Sequence, residues 1–285
     1  NIACLLLYTF LAHKLDPKLA LLTVILFTVH PICTQSVAWC SGLGYPLSLV
    51  WAGAILNLTP WVYDNPSIAS VLFGTLGFCL LQFLAIHAQF ATMMLWPILL
   101  FFGYWHFAVL GFIMSVFMGL DIIRHTIKIR KDEFVKQNMG TSTYFKPRKI
   151  VVAFKTLLYY LAHTLFPAKM GLYHTFGFHY NENIERRDTY FGLGVVAFFG
   201  LLGIYLLHPS LEVKLSLLWF VSFVFIFLNW ITIQQFVTER YIFLPTIGTC
   251  LLISYLTQDY IWLYTLIAGI YVCRTWTILP TYDSE

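Results

Sequence analysis

The stretch Tyr190–Leu207, YFGLGVVAFFGLLGIYLL, decides the fold class, because its 18 residues include no charged side chain. A second stretch, 215–230, is also uncharged. Such runs approach the roughly 20 helical residues that cross the apolar core of a bilayer. Their apolar residues are continuous and do not alternate with period two, which favours helices over a membrane barrel. The sequence therefore predicts an all-α polytopic membrane protein.

The composition of the whole chain agrees with this prediction. Of its 285 residues, 59% are hydrophobic and 11% are charged, and the mean hydropathy is +0.76. Soluble domains carry about 25% charged residues, so a soluble globular enzyme is excluded. The aromatic content of 18%, the net charge of +4 and six scattered cysteines argue against a disordered chain, a nucleic-acid binder and a disulfide scaffold.

Glycine, proline and charged clusters divide the chain into about nine to eleven helices, some of them interfacial. We predict helices at 1–13, 17–30, 44–59, 67–87, 90–104, 107–122, 150–166, 190–207, 214–232, 239–256 and 260–276. No repeat or soluble segment interrupts them, so residues 1–285 form a single membrane domain. Because the chain opens inside an apolar run, we expect an upstream first helix and a first luminal or periplasmic loop.

Two readings of the membrane orientation remain open. Eight of the seventeen basic residues lie between residues 124 and 149, which the positive-inside rule places in the cytoplasm. If 89–120 forms two spans, however, this basic segment lies on the same side as His30 and Glu239, and the helix at 150–166 is interfacial.

The first polar cluster is HPICTQSVA, which begins at His30. Pro31 ends the preceding helix, and a polar turn is expected to follow. Polar groups retained in a membrane segment are functional candidates, so His30, Thr34 and Gln35 are predicted to face a polar or phosphorylated substrate. The alternative is an interfacial helix end that His30 and Trp39 anchor among lipid headgroups.

The second cluster is the Glu239-Arg240 pair, set between two apolar runs. A guanidinium offers five donors suited to phosphate oxygens, and a neighbouring carboxylate can orient it or take a proton. The alternative is a charged pair that snorkels from a helix end.

The third cluster is the segment 168–189, rich in His, Tyr and charged residues. Tyr173 and His174 are possible substrate-facing residues, and the alternative is a solvated interfacial loop. His174 and His179 lack a third ligand at a recognised spacing, so no metal site is predicted and a divalent metal is not expected.

The strings that begin at His30 and at Glu239, HPICTQSVA and ERYIFLPTIG, together resemble the membrane domain of the transmembrane and tetratricopeptide-repeat proteins. These are protein O-mannosyltransferases of the GT-C superfamily, with an HP-x-x-T-[EQ]-[AS]-V segment and a later E-R-x-x-Y/F-L-P-S/T-x-G segment in this order. The likeness covers most of the chain, and the second motif is the more specific.

The resemblance implies a GT-C-like bundle in the endoplasmic reticulum or bacterial inner membrane. It also implies transfer of a sugar, typically mannose, from a polyprenyl-phosphate carrier to a hydroxyl of an acceptor protein. By match to the motifs, His30 and Arg240 hold the donor phosphate and Glu239 orients Arg240. No cofactor is implied beyond the lipid-linked donor, and other membrane subunits are possible partners.

The sequence also departs from the family pattern. In the family the general base lies on the first loop, so it is expected upstream of Asn1 and the catalytic residue stays unknown. Charged residues of the family are replaced at 87–92 and at 104–106. The alternative function is therefore a non-catalytic integral-membrane subunit that anchors or scaffolds a larger complex.

Overall fold

A computed structural model describes residues 1–38, 42–129, 148–167, 189–228 and 238–279. Within these ranges all regular structure is helical, with twelve α-helices and two 3₁₀ helices and no strand. The elements in chain order are α1 Ile2–Lys14, α2 Pro17–Val29, α3 Ile32–Ala38, α4 Gly44–Asp64, α5 Ile68–Ala88, η1 Phe90–Leu95, α6 Trp96–Phe101, α7 Trp105–Ile129, α8 Arg148–Leu165, α9 Thr189–Leu207, α10 Leu211–Phe225, η2 Glu239–Ile242, α11 Phe243–Thr257 and α12 Ile261–Ile278.

The all-helical prediction is confirmed, and two details of it are wrong. The segment after Pro31, predicted as a polar turn, is the short helix α3, so the described residues hold one α-helix more than the upper prediction of eleven. The predicted helix at 90–104 is broken instead into η1 and α6, with non-helical backbone at Met94. Hydropathy contains no signal for the change of helix direction at either place.

Side-chain caps explain where two helices begin. The Asp16 carboxylate accepts hydrogen bonds from the backbone N–H groups of Lys18 and Leu19, and Pro17 occupies the first turn, so α2 begins directly after α1. Ser67 and Ser70 form a reciprocal capping box at the start of α5. Both helix pairs are therefore joined by short turns.

Segment 89–120 makes two antiparallel passes through the bundle. Gly103, with φ of +79°, turns the chain between α6 and α7. His106 at the start of α7 contacts Tyr63 of α4, while Ser115 donates to the Met93 carbonyl at 2.8 Å. Of the two parts, only Trp105–Ile122 is long enough to cross a membrane and Phe90–Phe101 is shorter, so the number of spans and the membrane orientation stay predictions.

Five helices in the described ranges are long and apolar enough to cross a membrane, by length and composition. They are Ile68–Ala88, Trp105–Ile122, Tyr190–Leu207, Glu239–Thr257 and Ile261–Ile278. The pair α2 and α3, bent by 65° at His30 and Pro31, makes a sixth if it is one broken span. The fold is thus compatible with a helical membrane protein.

The centre of the bundle is α11, which packs closely on α10. A Cβ atom added at Gly248 would lie 2.5 Å from the Ser216 carbonyl oxygen and 2.8 Å from the Phe220 nitrogen. Glycine is needed here because the two backbones touch. The close packing fixes the position of η2, which directly precedes α11.

Candidate functional site

His30 is a buried side chain, 1% exposed, at the bend between α2 and α3. Its Nδ1 accepts a hydrogen bond from the Ile32 backbone N–H at 3.3 Å, so we assign the hydrogen to Nε2. Nε2 then donates to the Thr164 carbonyl oxygen of α8 at 3.0 Å. Both ring nitrogens of His30 therefore bind backbone groups in this arrangement.

The structure describes only one of the side chains of the other residues predicted in the first and third clusters. Thr34 is buried, and its hydroxyl makes no hydrogen bond to any residue in the described ranges. The side chain of Gln35 is not described, and Tyr173 and His174 lie outside the described residues. Their predicted roles stay predictions.

The tertiary structure brings the two sequence motifs together, because α3 packs against η2. The second motif forms η2 and continues without interruption into α11, with Pro245 in the first turn of α11, where a missing N–H is tolerated. The Leu244 carbonyl accepts a hydrogen bond from Trp219 Nε1 at 3.0 Å. This contact from α10 holds the start of α11 beside Glu239 and Arg240.

Three tyrosines from different elements surround this point: Tyr45 of α4, Tyr160 of α8 and Tyr241 of η2. All three are buried, and Tyr241 stacks on Phe227 with ring centroids 4.3 Å apart. Tyr45 lies within electrostatic range of Arg240 and interacts with the Gln89 side chain. We call Tyr45, Gln89, Tyr159, Tyr160, Thr238, Glu239, Arg240 and Tyr241 the Arg240 cluster.

The exposure of the charged pair differs between its members. Glu239 is fully buried, and it interacts electrostatically with Tyr159 of α8. Arg240 is only partly buried, so it is the more accessible residue of the charged pair. A planar guanidinium among phenolic hydroxyls can bind an anion with several oxygens, such as a phosphate.

The amphipathic helix α8 covers the cluster on one side. Its buried face includes Val152, Leu157 and Tyr160, while Ile150 and the residue after the helix, Phe166, are exposed. The Tyr160 hydroxyl lies near the Thr238 backbone but makes no hydrogen bond of ordinary geometry within the described residues. It is a buried donor without an identified acceptor, which is uncommon in folded proteins.

Sequence reasoning missed Tyr45, Gln89 and Tyr160. Tyr160 could have been predicted, because a tyrosine pair on an amphipathic helix is a polar feature. A hydropathy profile records this feature only weakly. Tyr45 and Gln89 had no such feature, because each lies at a helix end that looks like any other interfacial boundary. Only packing shows that Tyr45 approaches Arg240 and that Gln89 interacts with Tyr45.

In the described part of the chain, no three His, Cys, Asp or Glu side chains are grouped so that they could hold a metal ion. No protein-family model, curated protein or solved structure matches the chain.

Proposed function

We propose that this chain is a membrane domain of a GT-C-like glycosyltransferase, which transfers a sugar from a polyprenyl-phosphate carrier to a protein hydroxyl. The observation that carries the proposal is the packing of α3 against η2, which brings the two motifs of the resemblance together beside the partly buried Arg240. The apolar helices supply the bilayer setting that a lipid-linked donor requires.

In this proposal Arg240 stabilises the negative charge that develops on the carrier phosphate as the sugar leaves. Glu239, buried beside it, restrains the guanidinium, and the hydroxyl of Thr34 is a candidate donor to the same ligand. His30 acts first as a structural residue, because its nitrogens hold Ile32 and Thr164. For His30 to bind the phosphate, one of its ring nitrogens has to leave its backbone partner and bond a phosphate oxygen instead.

The acceptor hydroxyl also needs a general base, which is usually a carboxylate. Glu239 is fully buried and adjacent to Arg240, a position that suits orientation of the guanidinium better than contact with a protein acceptor. We therefore do not assign the base to Glu239, and the position of the base stays a prediction.

The test is a carrier-binding assay with the purified chain in nanodiscs and a polyprenyl-phosphate mannose donor, since binding of the donor does not require the general base. Arg240→Lys keeps the charge but loses the planar fork, so carrier binding should weaken by about tenfold or more. Lys18→Gln is the matched control, because Lys18 contacts Gln258 at the opposite end of the bundle. Equal binding by wild type and Arg240→Lys would remove the guanidinium from the proposal.

The second candidate function is a non-catalytic anchoring subunit. The observation that favours it is the full engagement of His30 by backbone groups, as expected for a residue that only fixes a helix bend. This candidate predicts that the wild-type chain binds no polyprenyl-phosphate sugar, and that Arg240→Lys leaves its assembly with other membrane subunits intact.

A further inference from the structure

Tyr160 of α8 is fully buried, and its hydroxyl has no acceptor of ordinary hydrogen-bond geometry in the part of the chain that the structure describes. Two other buried tyrosines show the usual arrangement. Tyr264 donates to the Leu22 carbonyl oxygen at 2.8 Å, and Tyr271 donates to the Leu165 carbonyl oxygen at 3.1 Å. A buried hydroxyl that leaves water without gaining a partner destabilises the folded protein, so its retention at Tyr160 needs an explanation.

The face of α8 that carries Tyr160 turns polar groups towards the interior. Thr156, Tyr160 and Thr164 follow one another at intervals of four residues, and each is 0% exposed. The apolar side chains of Ile150 and Leu158, on the other side of the helix, are exposed or partly buried. The helix therefore covers the Arg240 cluster with hydroxyl groups and keeps apolar groups outside.

Aromatic rings and neutral hydroxyls surround Tyr160. It lies within electrostatic range of Tyr45 and Tyr241 and near the backbone of Thr238. The Thr238 side chain is buried, and its hydroxyl likewise makes no hydrogen bond to any described residue. Tyr45 also lies within electrostatic range of Arg240, so it links these neutral hydroxyls to the guanidinium.

A polyprenyl-phosphate sugar has the same two parts, an anionic phosphate bonded directly to a neutral ring. The hydroxyls of the sugar both donate and accept hydrogen bonds, so a neutral phenol and a threonine hydroxyl suit them. Phosphate oxygens form their strongest hydrogen bonds with charged donors, and Arg240 is such a donor.

We propose that the hydroxyls of Tyr160 and Thr238 bind the sugar of the lipid-linked donor, beside the phosphate that Arg240 binds. The inference rests on the proposed function and adds to it the residues that recognise the sugar.

The test compares two ligands in nanodiscs, undecaprenyl-phosphate mannose and undecaprenyl phosphate without a sugar. Tyr160→Phe removes only the hydroxyl, so it should weaken binding of the mannose form by about tenfold and leave binding of undecaprenyl phosphate unchanged. Thr238→Val removes the second hydroxyl with little change of shape, and it should act in the same direction.

Tyr264→Phe is the matched control, because the Tyr264 hydroxyl has an acceptor and lies outside the Arg240 cluster. It should lower the melting temperature by about 2 °C and leave the affinity for both ligands unchanged. Tyr160→Phe should keep the wild-type melting temperature or exceed it, since no hydrogen bond within the protein is lost. An equal fall in both variants would show that Tyr160 has an internal partner, and it would overturn the inference.

The remaining outcomes separate this inference from the proposed function. If Tyr160→Phe weakens binding of both ligands equally, or of neither, the hydroxyl does not recognise the sugar, and the proposed function still stands. If the wild-type chain binds neither ligand, the proposed function fails and the inference fails with it. Weaker binding of the mannose form alone, with Tyr264→Phe unaffected, would support the inference.

Discussion

The two ends of the helix bundle use polar residues in opposite ways. At the end formed by α3, η2 and part of α8, polar side chains are buried, as Glu239, Thr238 and His30 show. At the opposite end, Asp64 and His106 are exposed, and the Asp64 carboxylate lies 4.0 Å from the His13 imidazole. The difference cannot be explained by composition, because both ends contain histidine, tyrosine and acidic residues.

The two ends differ in the free-energy cost of their polar groups. A polar group in water costs little, while a buried polar group costs about 1 to 3 kcal/mol when its hydrogen bonds are not made. Lys14 at the exposed end lies over the Tyr104 ring at 5.1 Å and stays near solvent, a common arrangement at a surface. The buried end retains costly groups, which is typical of a functional site.

The largest effect should come from His30→Ala. This change leaves the Ile32 N–H and the Thr164 carbonyl without their partners and opens a cavity, so we expect a loss of about 3 kcal/mol in the free energy of unfolding. His106→Ala is the control, because His106 is exposed and its contacts, the Tyr63 hydroxyl and the stacked ring of Trp105, lie at the surface of the exposed end. Denaturant unfolding in detergent measures both, and equal losses would contradict the contrast between the two ends.

A somewhat smaller effect is expected for Gly248→Ala beside the buried end. The new methyl group would meet the Ser216 carbonyl and force α10 and α11 apart, at a cost of about 2 kcal/mol. Gly203→Ala gains the same helix propensity and meets no atom within 4 Å, so its stability should be unchanged or higher. Melting temperatures of the two variants give the comparison; a stable Gly248→Ala protein would show that the helices can separate freely.

The smallest effect is expected for Asp64→Asn at the exposed end. The side chains of His13 and Asp64 are 50% and 63% exposed, and exposed ion pairs contribute less than about 1 kcal/mol. The melting temperature should therefore stay within the error of the wild-type value at both low and high salt. A marked loss of stability would instead mean that this end is covered by another subunit.

Much of the fold can be predicted from the sequence, because helix formation depends on residues that are close in the chain. Each apolar run such as Tyr190–Leu207 must satisfy its own backbone hydrogen bonds, so a helix follows from the run alone. Asp16 and Pro17 likewise mark the start of α2 within a few residues. The break at Met94 and the helix after Pro31 could not be predicted from the sequence, because a bend depends on the helices that pack beside it.

For the candidate site the division is similar. The sequence by itself determined that His30 and the Glu239-Arg240 pair are polar residues beside long apolar segments, because hydropathy is a property of neighbours in the chain. Only the tertiary structure decided that α3 meets η2, that Tyr45 approaches Arg240 and Tyr160 approaches Tyr241, and that His30 binds backbone groups at both nitrogens. These contacts join residues far apart in the chain, and their geometry depends on helix packing, which no local pattern specifies.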